Sequence, residues 1–300
     1  MNCPIRTYNV SKKFRGNTVL DGLSLAVPEG SIYALVGPNG AGKTTSIKLL
    51  MNILRPSGGQ LEVLGVDSRR LSAREFAQIG YVSENQEMPD WMTVGYFLNY
   101  WRDFYPTWDC SLAAELVHQL DLPLDRKLRH LSAGMRMKAA LASSLAYRPK
   151  LMVLDEPFTG LDALVRDELI EGLLPRAENT TVFISSHDLA EVETFASHIG
   201  YLERGRLQFS EELDTLRTRF REVVLTFATA PPLPRDWPSN WLMPETAASV
   251  IRFVDAQFSD ERTPGEVRRL FPDVREIAVA GLPLRTIFVT LAKAGRTAAA

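Results

Sequence analysis

Gly37-Pro38-Asn39-Gly40-Ala41-Gly42-Lys43-Thr44 follows an apolar run at residues 31–36 and opens a helix-forming stretch at residues 43–54. The pattern is G-x-x-x-x-G-K-[ST] in a strand–loop–helix setting, the arrangement that cradles phosphate groups. Its glycines let successive backbone N–H groups turn towards phosphate oxygens. The helix start adds its positive end. Lys43 can reach the outer phosphates, Thr44 offers a hydroxyl to Mg²⁺, and Thr45 continues the loop into the helix.

Further along, Leu151-Met152-Val153-Leu154-Asp155-Glu156 is an apolar strand that ends in two acids. A carboxylate at a strand's C-terminal edge beside a phosphate loop is where nucleotide-bound Mg²⁺ needs a ligand. Asp155 is therefore the candidate metal ligand and Glu156 the candidate base that activates water. A solvent-facing acidic strand end is the bland alternative, and the upstream phosphate loop argues against it.

Apolar runs at 31–36, 151–154 and 181–185 alternate with helical patterns at 43–54 and 163–174, which predicts a parallel sheet covered by helices. Strand character at 5–10 and 23–27 predicts an added antiparallel piece. From 92 to 147 the strands give way to helical patterns at 92–105, 110–120 and 133–146, a helical insertion. Its aromatics, Trp91, Tyr96, Phe97, Tyr100, Trp101, Phe104, Tyr105 and Trp108, fit either a subdomain core or a partner groove. Composition changes after Asp214. The stretch 230–244 holds five prolines and two tryptophans and cannot be regular helix. A strand at 250–254, a helix from Pro264 to about 271 and a helix at 284–292 predict a small α+β appendage.

Leu131-Ser132-Ala133-Gly134-Met135 opens a helix just before the acidic strand, and here the chain resembles the ABC (ATP-binding cassette) ATPases, whose signature is Leu-Ser-Gly-Gly-Gln. The resemblance covers about residues 5–212. It implies an α/β P-loop fold with a RecA-like parallel core, antiparallel β and helical subdomains, the cassette spanning 1–213 with its helical part at 86–147; the α+β accessory unit at 214–300 lies outside the resemblance. It implies ATP and Mg²⁺ as cofactors, with the loop Gly37, Pro38, Asn39, Gly40, Ala41, Gly42, Lys43, Thr44 and Thr45 on the phosphates. Phe14 corresponds to the adenine-stacking aromatic. Ser132 and Gly134 correspond to the signature that meets ATP held by a second subunit, and Asp162 to the D-loop acid reaching across the pair. His187 corresponds to the switch histidine at the γ-phosphate. Glu84 replaces the glutamine that usually contacts Mg²⁺ and links to the membrane partner. Ala133 replaces a glycine, and since alanine tolerates fewer backbone conformations, a somewhat altered signature geometry is expected, with function surviving.

A net charge of −2 gives no global basic field, and nucleic acid is not an expected partner. Two cysteines without metal-ligand spacing fit a reducing cytosol. The segment MNCPIRTYNVSKKF lacks a signal-peptide core, and no stretch has the roughly 20 apolar residues of a membrane span. No Asn-Lys-x-Asp guanine motif occurs. The resemblance therefore implies an ATPase in the cytoplasm, peripheral on the inner face of the membrane, paired with a second nucleotide-binding subunit and driving a membrane-spanning permease, in export rather than import. The competing readings are a soluble ABC ATPase acting on ribosomes or nucleic acid, and a weakly hydrolysing regulatory subunit.

Overall fold

The computed structural model describes residues 3–173, 180–229 and 231–297. It divides into two compact units, residues 1–210 and 211–300, a break three residues before the expected boundary at 213/214.

The first unit is built on a six-stranded sheet. Ile32–Val36 lies between His198–Glu203 and Thr181–Ser186, followed outward by Leu151–Asp155 and Ile79–Ser83, while Arg206–Glu212 forms the other edge. The inner strands Ile32–Val36, Leu151–Asp155 and Thr181–Ser186 are buried at every residue. Strands covered on both faces read as unbroken apolar runs, which is why these three are plain in the sequence. They pair in parallel with Ile79–Ser83 and His198–Glu203.

The expected short strands at 5–10 and 23–27 are parts of one long hairpin, Ile5–Phe14 and Asn17–Val27. Arg15 and Gly16 both have positive φ at its turn, and Asn9, at φ 49°, bends the first strand where the register shifts. Positive φ at both central residues matches the twist of a tight hairpin. Half-buried Lys12 and exposed Lys13 and Arg15 hide this continuity from a reading of apolar runs. With Gly58–Val63 and Val66–Asp67 the hairpin makes a four-stranded antiparallel sheet. One apolar cluster joins the two sheets: Ile5, Leu20 and Val27 meet Ile47 and Leu50 of the phosphate-loop helix and Leu35, Val153 and Phe183 of the parallel sheet. The phosphate loop is thus anchored by core packing on both sides.

That helix spans Lys43–Leu50, four residues short of the predicted end. Asn52 enters the left-handed region, and the Ile53 and Leu54 amides both turn back to the Lys48 carbonyl at 2.9 and 3.0 Å. These bonds satisfy the orphan carbonyls that end a helix. The helical insertion consists of Val94–Arg102, Cys110–Gln119 and Ala133–Leu145. Its first helix starts after Thr93, which caps it through Tyr96 N, rather than at residue 92. Its aromatics divide between the two expected roles. Phe97 is core and Tyr105 stacks on Tyr147, whereas Trp91, Tyr96, Tyr100 and Phe104 are exposed. The helix predicted at 163–174 is Ala163–Leu173, residue 174 lying outside the described residues.

The second unit carries an antiparallel sheet ordered Trp241–Ala247, Val250–Asp255, Arg221–Thr226, Glu276–Gly281. Val223, Leu225, Ile251, Phe253 and Trp241 form its core with Val267 and Phe271 from the Arg262–Leu270 segment and its end. Trp241–Ala247 falls inside the proline-rich stretch, with Pro244 tolerated because this strand is an edge. The last helix runs from Leu284 to Thr297, beyond the expected residue 292.

Candidate active site

A cavity of about 550 Å³ opens over the phosphate loop, lined by Val19, Asn39 to Thr45, Glu84, Glu156, Thr159 and His187. The loop is shaped by close approach: a Cβ on Gly37 would run into the Leu202 carbonyl oxygen, and one on Gly42 would lie 2.7 Å from Leu20 Cδ2. Gly42 also sits at φ 110°, outside what larger residues readily adopt.

Lys43 is only 6% exposed, and its ammonium is fully engaged. It donates to the Gly37 and Pro38 carbonyls at 2.7 and 3.3 Å and pairs with Glu156 Oε1 at 3.1 Å. The other Glu156 oxygen meets His187 Nδ1 at 2.8 Å and accepts from Thr159 Oγ1 at 3.1 Å. Burial pushes the Glu156 carboxyl up, but the His187 hydrogen bond and the Lys43 charge outweigh it and hold the group below its ordinary value. Glu156 takes φ 50°, a left-handed conformation costing a non-glycine residue about 1–2 kcal/mol. The chain turns sharply there, just past the sheet edge.

Asp155 lies behind the cavity, buried, and its Oδ1 accepts from Thr44 Oγ1 at 3.0 Å and Ser185 Oγ at 2.8 Å. Ser185 also accepts from the Glu156 amide at 3.0 Å, so one hydroxyl braces both acids. Glu84 lines the same cavity, with its amide bonded to the Asp155 carbonyl at 3.1 Å. Thr44, Asp155 and Glu84 fit a small hard cation that takes its remaining ligands from phosphate and water. Among the described residues no cluster of three or more His, Cys, Asp or Glu could hold a metal ion.

Phe14 is not part of the cavity wall. It ends its strand 41% exposed, with Lys12 Nζ 4.7 Å from the ring centre, and Val19 lines the cavity instead. The signature residues are also absent from this wall. Ser132 caps its helix by accepting from Met135 N at 3.2 Å, and Gly134 packs where a Cβ would lie 2.8 Å from Val165 Cγ1. Ala133 is the helix's first residue, a position where alanine is favoured, so the expected distortion at this departure from glycine has no cause there. Asp162 caps the following helix through Val165 N at 3.0 Å. Sequence reasoning missed Ser185, Thr159 and Val19 as site residues. A signal existed only for Ser185, a hydroxyl in a wholly buried strand that must find a partner.

A nucleotide-phosphate loop, paired acids at the end of a strand of the same parallel sheet, a histidine at the rim and a capped signature helix define an ABC nucleotide-binding subunit. The chain belongs to this family of ABC transporter ATP-binding proteins, and the family's sequence model, described as "ABC transporter", matches residues 20–159. It is 31% identical over 227 residues to the ABC transporter ATP-binding protein YtrB of Bacillus subtilis, covering 75% of this chain and 77% of that one. It is 35% identical over 219 residues to Nod factor export ATP-binding protein I of Burkholderia lata, covering 68% and 69%. A solved ATP-binding subunit of an ABC transporter superposes with a TM-score of 0.65 at 25% identity, over 71% of this chain and 91% of the other.

Proposed function

We propose that this chain is the ATP-hydrolysing motor of an export-type transporter. The carrying observation is Glu156, held between Lys43 and His187 at a cavity whose wall lacks the Ser132 segment. One chain has the hydrolytic acids but not the signature end of the site, so two nucleotide-binding subunits supply it reciprocally. ATP displaces the Glu156 carboxylate from Lys43 as its phosphates take the ammonium. The freed Glu156 then accepts a proton from the attacking water, with His187 oriented beside the γ-phosphate. Thr44, Asp155 and Glu84 would hold Mg²⁺, which when bound would supply charge neutralisation on the phosphates.

Among the described residues no helix is long and apolar enough to cross a membrane, so a separate permease provides the path. Its docking place is the helical insertion, where Trp91 stands 63% exposed beside Tyr96. Docked there, the chain works at the cytoplasmic face of the membrane. The reading of export rests on similarity to the Nod factor export ATP-binding protein I. The test is to isolate the Glu156→Gln protein from native membranes in mild detergent with Mg-ATP and identify what accompanies it. A multi-span membrane protein is expected. Ribosomes or nucleic acid in its place would overturn the proposal.

A further inference from the structure

The two edges of the C-terminal sheet are built differently. The Trp241–Ala247 edge is blunted: Pro244 removes a donor, Glu245 stands on it, and its pairing breaks between Leu242 and Glu245. Such features keep a sheet edge from pairing with other chains. The Glu276–Gly281 edge has no proline and no break in its pairing, and its one charge, Glu276, stands at its start. Its pairing with Arg221–Thr226 is unbroken over six residues, and from Ile277 to Gly281 it has neither charge nor proline. Every residue but Ile277 is exposed, and among the described residues no strand pairs with its outer side. Ile277 packs on the core, yet Val279, on the same face, is 41% exposed.

We propose that this edge pairs with the same strand of a second copy, joining the two sheets across a two-fold axis. Opposed residues in an antiparallel pair share a face, so about an axis normal to the sheet their numbers must sum to an even value. Centred on Ala278, the pairing sets each Ile277 opposite Val279 of the other copy and each Glu276 opposite Ala280. Val279 gains an apolar cross-strand neighbour, and no like charges meet. This self-complementarity selects a second copy over an unrelated peptide, and an active-site wall without its signature segment requires a second subunit nearby. The contact needs no nucleotide, and so holds the pair together when the ATP-dependent contact is open.

Cysteine cross-linking of the full chain tests this, in a background with Cys3→Ser and Cys110→Ser and without nucleotide. Opposed Cα atoms at residue 278 lie about 5 Å apart, and those at residue 280 about 14 Å apart. A short bis-maleimide is expected to link Ala278→Cys protein to itself and not Ala280→Cys protein. No product at 278, or equal product at both, overturns the proposal. In sedimentation without nucleotide, the unsubstituted chain is expected to dimerise and the Ala278→Lys/Ala280→Lys variant to run as a monomer that still binds ATP. A monomeric unsubstituted chain, or a dimer indifferent to both lysines, equally overturns it. Adding Glu156→Gln and Mg-ATP to the lysine variant isolates the ATP-dependent pairing, so failure of one contact is distinguishable from failure of the other.

Discussion

Replacing Glu156 by glutamine separates two jobs that one carboxylate performs. In the nucleotide-free state it neutralises Lys43, which is buried, and it meets His187 and accepts from Thr159. In the proposed mechanism it is free during turnover to take a proton from water. Loss of a general base slows chemistry by about 10²–10⁴-fold, or about 3–5 kcal/mol of barrier. The nucleotide-free fold loses less. Lys43 keeps the Gly37 and Pro38 carbonyls, and the amide oxygen still accepts one bond. A charge-assisted bond is worth about 1.5–3 kcal/mol, so a weakening near the lower end of that range is expected. At about 2–4 °C per kcal/mol, melting without ATP falls by a few degrees. ATP affinity does not fall, because the phosphates no longer compete with a carboxylate for Lys43. Steady-state phosphate release, equilibrium binding of ATP and melting with and without nucleotide measure the three quantities. A turnover within about ten-fold of the unsubstituted chain would assign the base elsewhere. Loss of ATP binding in parallel with turnover would refute the separation of the two roles.

Lys43→Ala removes the only side-chain cation that bonds the loop carbonyls and Glu156 among the described residues, and is expected to abolish ATP binding and phosphate release together. Thr159→Val deletes one donor to Glu156 Oε2; kcat is expected to fall about ten-fold with KM for ATP unchanged, because only the base is disturbed. Gly134→Ala drives a methyl against Val165 and should cost about 1–3 kcal/mol of stability, relieved by adding Val165→Ala, as melting curves of both variants test. For pH, the Glu156 carboxyl is held below its ordinary 4.5, so its stabilising contribution is full above that value and is lost as pH falls through the depressed one. The melting difference between the unsubstituted nucleotide-free chain and Glu156→Gln should therefore be flat above pH 4.5 and close in more acidic buffer.

The parts of the molecule legible in the sequence are those where burial or phosphate chemistry leaves little choice. The inner strands are continuous apolar runs because both their faces are covered, and Lys43, Thr44, Asp155 and Glu156 stand at fixed offsets from such runs. Phe14 shows the limit of transfer by resemblance. Its place in the chain matches an adenine-stacking residue, but it stands exposed beside a hairpin turn and outside the lining of the cavity, which Val19 joins, so its role is not carried by the geometry of the phosphate loop. In the second unit, Arg221–Thr226 and Glu276–Gly281 were not legible because they are short, with partners set by pairing rather than local pattern. Trp241–Ala247 is masked by Pro244, which excludes helix but does not exclude an edge strand.

Register explains why segments so distant in sequence make one site. Ser83 pairs with Asp155, Asp155 with Ser185, and Ser185 with Leu35, a single row across the C-terminal edge of the parallel sheet. Within two residues beyond that row, each chain delivers its functional group: Glu84, Glu156, His187 and the start of the phosphate loop at Gly37. Parallel strands all open their carboxyl ends on one side, and that crevice is where such sheets bind ligands. A shift of one strand by a single residue would leave the apolar runs buried, since both faces are covered, but would move its group about 3.3 Å. Hydrophobic burial alone therefore does not fix the site. Ser185 supplies what burial lacks: bonded to both Asp155 Oδ1 and the Glu156 amide, it can satisfy both only in the observed alignment. Ser185→Ala should for this reason lower turnover more than it lowers melting temperature, whereas an equal loss of both would make the hydroxyl merely structural.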